Sequence, residues 1–200
     1  MPEETRDECL LRHARRGDEA ALVALYERHH AAIFRFAFRL LDSRAAAEDV
    51  THDCFLDLVR EPARGATSDF DPSRGTLRNY LYGMARHRAH GLFRRAAREQ
   101  EFDAAADERR ADDSCGPLAR VLGEELGEAV RRAVSSLPAA QRESLILFEY
   151  EELSLAEIAE IVGADVNAVK ARLWRARQSL KKTLAPYLSP CGTRALALKD

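Results

Sequence analysis

The chain is poor in several things, and each shortage removes a class of protein. Its 200 residues contain four cysteines, Cys9, Cys54, Cys115 and Cys191. They are too far apart for a CxxC metal knuckle and too few for a disulfide framework, so they read as free thiols. Glycine and proline occupy only 10 and 7 positions, and alternating Val, Ile and Thr runs are missing, which argues against sheets. No run of eighteen apolar residues occurs, and no apolar stretch follows the charges of "MPEETRDECLLRHARRGDEA". Neither a membrane span nor a secretory signal is therefore expected, and the expected compartment is the cytoplasm. A P-loop, a dinucleotide fingerprint and a nucleophile-base signature are also lacking, so no enzyme and no cofactor is expected. His87 and His90 stand at i, i+3 without a third ligand in sequence, and no metal site is expected there.

What the chain does have is segregated charge. Its formal net charge is only -2, yet from Pro72 to Arg98 it carries seven arginines and no carboxylate. From Val166 to Leu184 there are six more cations, Lys170, Arg172, Arg175, Arg177, Lys181 and Lys182, again with no acid. Between them, Glu99 to Val130 holds ten acids against three arginines, and Asp42 to Glu61 holds six acids against two. Local charge is what a partner feels within a Debye length. Two basic stripes separated by an acidic connector point to two contacts on one long polyanion.

Periodicity places these stripes on helices, so the fold class is all-α. Leu22, Tyr26, Ile33, Ala37, Leu40 and Leu41 predict a long helix with one buried face. Ser43 follows as a candidate N-cap. A helix over about 45–59 would bury Ala47, Val50, Cys54 and Leu58 and turn Asp49, His52, Asp53 and Asp57 outward. "PARGATSDFDPSRG" reads as a loop. Leu77, Leu81, Met84, Ala85, Arg88 and Leu92 then mark another helix, which carries most of the arginines. Residues 99–127 lose periodicity and read as a flexible acidic linker with at most a short helix.

The sharpest local signal lies in "SLAEIAEIVGADVNAVKARLWRARQSLKKTL". Ser154 and Glu157 have capping-box spacing. Gly163 suits a left-handed stop, and Asp165 can cap the next helix. Ala159 leaves room for two helices to cross closely, with Ile158, Val169 and Leu173 as shared core. That is a helix-turn-helix by mechanism. On its second helix Val169, Leu173, Ala176 and Leu180 share a buried face. Asn167, Lys170, Ala171, Trp174 and Arg175 occupy the opposite arc, flanked by Arg172 and Arg177. Such an arc can present cations to guanine or phosphate and an Asn to adenine.

The arginine-rich stretch has a different chemistry. Phe70, Tyr80, Tyr82 and Phe93 are interleaved with Arg74, Arg78, Arg86, Arg88, Arg94 and Arg95. Cations along a groove plus aromatic faces hold unstacked bases of a single strand. The alternative is that Tyr80 or Tyr82 is core and that several arginines pair with neighbouring acids.

Taken together, "LLRHARRGDEAALVALYERHHAAIFRFAFRLL", "AAAEDVTHDCFLDLV", "FDPSRGTLRNYLYGMARHRAHGLFRR", "LPAAQRESLILFEYEELSLAEIAEIVG" and "NAVKARLWRARQSLKK" resemble, in order, the motifs of the extracytoplasmic-function (ECF) sigma factors of bacterial RNA polymerase. The resemblance implies two small helical domains, an N-terminal bundle over 8–98 and a C-terminal helix-turn-helix domain over 128–185. The linker 99–127 would join them and a tail would occupy 186–200. It implies that Asp49, His52, Asp53 and Leu56 dock on the clamp helices of the largest subunit of core RNA polymerase. It implies that the first domain reads and melts the promoter minus-ten element. The candidate contacts there are Phe70, Arg74, Arg78, Tyr80, Arg86, His87, Arg88, Arg94 and Arg95, with the loop and Tyr80 receiving unpaired bases. It assigns the minus-thirty-five element to Asn167, Lys170, Ala171, Arg172, Trp174, Arg175 and Arg177. An anti-sigma factor is a further partner that the resemblance brings with it. Tyr80 stands where the family commonly has Trp, and His87 and Gly91 replace its frequent Asn and Asp.

A regulator that binds operator DNA without docking on polymerase is the principal alternative. It would carry a dimerisation or ligand domain and a single reading element. Here two basic elements flank a connector whose 29 residues from 99 to 127 reach at most roughly 95 Å, nearly three duplex turns.

Overall fold

A computed structural model describes residues 3–60, 70–100 and 119–188, and among them every regular element is an α-helix. The order is α1 (Glu3–Ala14), α2 (Glu19–Leu41), α3 (Arg44–Val59), α4 (Leu77–Gln100), α5 (Ala119–Ser135), α6 (Ala139–Glu149), α7 (Leu155–Val162) and α8 (Val166–Leu188). Helices α1 to α4 form one helical domain and α5 to α8 the other.

In the first domain, Asp18 starts α2 by accepting the Ala21 N–H at 3.2 Å. The helix ends at Asp42, whose backbone is left-handed with φ 54°. Ser43 follows at once and accepts the Ala46 N–H to start α3. A stop and a start on adjacent residues fold α3 back along α2. Leu25, Ile33, Phe36 and Leu40 of α2 meet Val50, Cys54, Phe55 and Leu58 of α3 and Leu81, Tyr82, Ala85 and Ala89 of α4, all buried. Each large apolar side chain so enclosed contributes about 1.5–3 kcal/mol.

One reading needs correction here, and one helix is new. Tyr26, placed by periodicity on the buried face of α2, is exposed, and Leu25 takes the interior position. Tyr26 instead lies on the rim, stacked on His30 at 4.7 Å and edge-on to Phe55 at 4.9 Å. Helix α1 had no periodic signal. It is held through Leu11 and Ala14 and by Asp7, which pairs with Arg28 and lies 2.8 Å from His29 Nε2.

In the second domain α5 begins at Ala119, inside the span read as linker, and α4 runs on to Gln100. Gly123 and Gly127 fall within that helix. The helix nevertheless continues through them because its later turns bury Ala129, Ala133 and Val134 and it packs on α8. Residues 101–118 and the tail beyond 188 lie outside the described residues, as do 61–69 of the loop before α4.

The two domains pack on one another, α6 against α2 and α7 against α4. Their buried apolar side chains form one cluster from Leu11 to Ala176.

Candidate nucleic-acid interfaces

The helix-turn-helix is built from local rules. Ser154 Oγ accepts the Glu157 N–H at 3.3 Å, and Glu157 Oε2 accepts the Ser154 N–H at 2.9 Å. Both halves of the capping box are thus closed. Those hydrogen bonds to Ser154, led by the one from its hydroxyl, hold the Glu157 carboxyl below its ordinary value. Gly163 stops α7 at φ 63°, a conformation that costs a residue with a Cβ about 1 kcal/mol or more. Asp165 Oδ1 then accepts the Ala168 N–H at 2.9 Å and starts α8. Ile158, Val162, Val169 and Leu173 close the crossing between the helices.

On α8 the outer arc is as the sequence places it, with one exception. Asn167, Lys170, Ala171 and Arg175 are exposed, and Trp174 is 64% exposed, an unusual position for a ring of that size. Arg175 Nε donates to the Ala171 carbonyl at 3.1 Å. Arg177 donates to Glu149 at 2.7 Å and lies over the Phe148 ring. Arg172, read as a flank of the arc, turns inward instead. Its Nη1 lies 3.7 Å from Glu143 Oε1, drawn there by a carboxylate with no access to water.

Helix α4 distributes its arginines over three directions. Arg88 faces α3, with Nη1 2.6 Å from Asp53 Oδ2 and Nη2 on Asp57. Arg78 and Arg86 face the second domain. Arg86 Nε donates to Glu143 Oε2 at 2.8 Å, and Arg78 Nη2 donates to the Glu151 carbonyl at 2.9 Å. His87, Arg94 and Arg95 are exposed, and so is Arg74 in the turn before the helix. In that turn the Ser73 hydroxyl and N–H both donate to Asp71, which lowers the Asp71 carboxyl.

The aromatics separate too. Tyr82 is fully buried, edge-on to Phe36 at 5.4 Å, with its hydroxyl donating to Glu151 Oε2 at 2.7 Å. Burial, joined by that carboxylate, pushes the phenol well above its ordinary value. Tyr82 is core. Phe70 and Tyr80 lie half-buried with ring centres 5.7 Å apart. Phe70 also lines a cleft of about 660 Å³ between α1, α2, the turn before α4 and α7, whose walls include Arg28, His29, Ser73, Arg78 and Glu157. Sequence reasoning missed this cleft, because Asp7, Arg28 and Glu157 come from three distant segments.

Helix α3 presents a separate surface. Asp49, His52 and Leu56 are exposed, Leu56 at 44%, and Asp53 is half-buried beside Arg88. Cys54 on the opposite side is enclosed, and burial pushes its thiol up to about 12. Among the described residues no group of three or more His, Cys, Asp or Glu could hold a metal ion, and no helix is long and apolar enough to cross a membrane.

An all-α chain with a capped helix-turn-helix in one domain and an arginine-rich helix beside an exposed acidic helix face in the other is built as a DNA-reading protein. Residues 25–99 match Sigma-70 region 2, and residues 127–180 match Sigma-70, region 4. The chain belongs to the ECF sigma factors, and it directs promoter-specific transcription as a subunit of RNA polymerase. It is 28% identical over 198 residues to RNA polymerase sigma-H factor of Pseudomonas aeruginosa, covering 94% of this chain and 98% of that one. It is 28% identical over 182 residues to ECF RNA polymerase sigma factor SigE of Mycolicibacterium smegmatis, covering 86% of this chain and 66% of that longer protein. Among solved structures it resembles the sigma factor RpoE of Bartonella quintana in complex with the anti-sigma factor NepR. There the TM-score is 0.61, with 26% identity, 78% of this chain and 91% of that chain covered.

Proposed function

We propose that the two domains divide the promoter between them. The helix-turn-helix reads the minus-thirty-five element as duplex through Asn167, Lys170, Ala171, Trp174 and Arg175. The observation that carries this is Trp174, held 64% exposed between cations on the outer arc of a second helix whose start Asp165 caps. A large ring left in water on a rigid cationic surface is suited to contact with base and sugar edges.

The first domain reads and melts the minus-ten element. Exposed His87, Arg94, Arg95 and Arg74 hold the backbone, and Phe70 with Tyr80 flanks the cleft that takes an unpaired base. The acidic α3 face, Asp49 and His52 with Leu56 at its centre, docks on the clamp helices of core polymerase. Arg88 acts from behind that face by positioning Asp53, and it is no longer the first choice for a DNA contact. The protein does its work without catalysing a reaction of its own, in the cytoplasm. An anti-sigma factor is a suitable partner, because the structure of Bartonella quintana RpoE holds one.

The test is capture of core RNA polymerase by the purified chain, followed by transcription from promoter templates in vitro. Binding of core enzyme with start-site-specific transcripts is expected. Failure to bind, or binding without initiation at any promoter, would overturn the reading.

A further inference from the structure

The C-terminal end of α1 carries a basic surface that neither proposed promoter contact uses. Arg12, His13, Arg15 and Arg16 follow closely on one another, and Arg12, His13 and Arg16 are exposed. Cations in a last helical turn often serve the carbonyls left open there. Here backbone groups already do so. The Leu11 and Ala14 carbonyls accept from the Arg15 and Gly17 N–H at 3.0 Å, and the His13 carbonyl accepts from Arg16 at 2.9 Å and Asp18 at 3.1 Å. The nearby acids are engaged as well. Asp18 accepts the Ala21 N–H as the cap of α2 and lies 3.8 Å from His13, Glu19 stands in the first turn of α2, and Asp57 is drawn onto Arg88. Arg12 and Arg16 have no carboxylate partner among the described residues.

Position adds to charge. Arg15 Nε donates to the Leu58 carbonyl at 3.2 Å, which fixes this end of α1 beside the end of α3, where the Arg60 side chain is 77% exposed. Earlier in the same helix, Asp7 and Glu8 line the Phe70 cleft. Glu8 and Arg12 stand at i, i+4, so the face that lines the cleft leads to Arg12 one turn, about 6 Å, further along. Arg16 lies just beyond, in the turn that Gly17 closes at φ 91°. The Glu8 carboxylate can accept from the amino group of a base, and it repels a phosphate.

We propose that Arg12, Arg16 and Arg60 form a second phosphate-binding patch of the first domain, which carries the backbone of the unpaired DNA strand as it leaves the Phe70 cleft. The proposal rests on the reading of that cleft as the seat of an unpaired base, and every residue it uses belongs to the first domain. A strand whose base enters the cleft turns its phosphates outward, away from Glu8. On the α1 side, Arg12 and then Arg16 are the cations placed to receive them. Such contacts carry no sequence information. They hold the melted strand by charge alone, releasing one counterion for each phosphate neutralised.

The test uses holoenzyme reconstituted with core polymerase and templates whose non-template strand is unpaired over the minus-ten element. Arg12→Gln with Arg16→Gln and Arg60→Gln should leave the melting temperature and core capture unchanged. Binding to the open template should weaken on the order of tenfold at about 0.1 M salt. The slope of log affinity against log salt should flatten by about 2, as for three single-strand phosphates. Arg12→Lys with Arg16→Lys and Arg60→Lys keeps the charge and should restore most of that slope. Shortening the unpaired strand on one flank of the element should erase the difference between wild type and the glutamine variant, and shortening the other flank should leave it. Equal slopes with affinities within twofold would overturn the proposal. Lost core capture would overturn it too, by making the patch a polymerase contact, and so would a lowered melting temperature at unchanged slope, by making it a helix cap. Failure of wild-type holoenzyme to bind the open template would instead overturn the reading of the cleft on which the patch depends.

Discussion

Arg88 and Asp53 meet at 2.6 Å across α3 and α4, so a cation of the arginine-rich helix is tied to a carboxylate of the proposed polymerase-docking face. Asp49, one turn before Asp53 on α3, is exposed. The two acids therefore serve the same surface with different structural obligations.

Charge reversal should separate them. Asp49→Lys is expected to abolish capture of core polymerase while stability stays within about 0.5 kcal/mol, as for most exposed sites. Asp53→Lys should also lose capture, but it sets an ammonium against Arg88 and should cost about 1 kcal/mol, modest because the pair is half-exposed. Pull-down together with thermal denaturation reads both. Unchanged capture by Asp49→Lys would remove the docking assignment.

Adjacent residues of α8 should fail in opposite ways. Trp174→Ala removes an exposed ring and should weaken duplex binding by at least tenfold, about 1.4 kcal/mol or more, with the melting temperature unchanged. Leu173→Ala opens the helix-turn-helix core, where Leu173 is 3% exposed, and should cost about 2–5 kcal/mol of stability. Fluorescence anisotropy on a labelled duplex, beside thermal unfolding, distinguishes the two. Loss of stability in Trp174→Ala would place that ring in the fold instead of the interface.

Glu157 gives a pH dependence of known sign. Its carboxyl is lowered from 4.5 in the folded protein, so the stability it contributes is fully present above 4.5 and is lost as pH falls through its lowered folded value. Glu157→Ala should therefore destabilise by up to about 1 kcal/mol at neutral pH, reduced by solvent exposure. The gap from wild type should close as the solution is acidified below the ordinary carboxylate range. Paired melting curves across pH check it, and a gap that widens on acidification would contradict the capping-box account.

The thiols should divide by burial. Cys9 is exposed, whereas Cys54 is enclosed, with its thiol pushed up to about 12. At pH 7.5 iodoacetamide should modify Cys9 in the native protein and reach Cys54 only after denaturation. Peptide mapping by mass spectrometry reads this directly, and native labelling of Cys54 would show that α3 opens readily from α2.

What could be read from sequence depended on distance along the chain. The capping box of Ser154 and Glu157, the Gly163 stop and the buried stripe of Val169, Leu173 and Ala176 are short-range patterns that hold in the fold. The outward face of α3 was legible for the same reason. The partners of Arg78, Arg86 and Arg172 were not, since a backbone carbonyl 73 residues away receives Arg78 and a glutamate 57 and 29 residues away, ordinary in the sequence, receives Arg86 and Arg172. Tyr26 misled because Leu25 beside it is equally suited to the core, and only packing chooses the phase. Of the two tyrosines for which sequence left a core place open, Tyr82 takes it, because a buried carboxylate supplies its hydroxyl with a partner.

The junction at Asp42 and Ser43, where α2 stops and α3 starts without an intervening residue, acts as a counting device. Each helical residue turns the chain by about 100°. One residue gained or lost inside the first turn of α3, after Ser43, would shift the rest of the helix by that angle relative to its cap, setting the Ser43 start against the burial of Cys54 and the outward placement of Asp49, His52 and Leu56. The surface proposed to meet polymerase is thus set by the adjacency of that stop and start as much as by the chemistry of the residues on it.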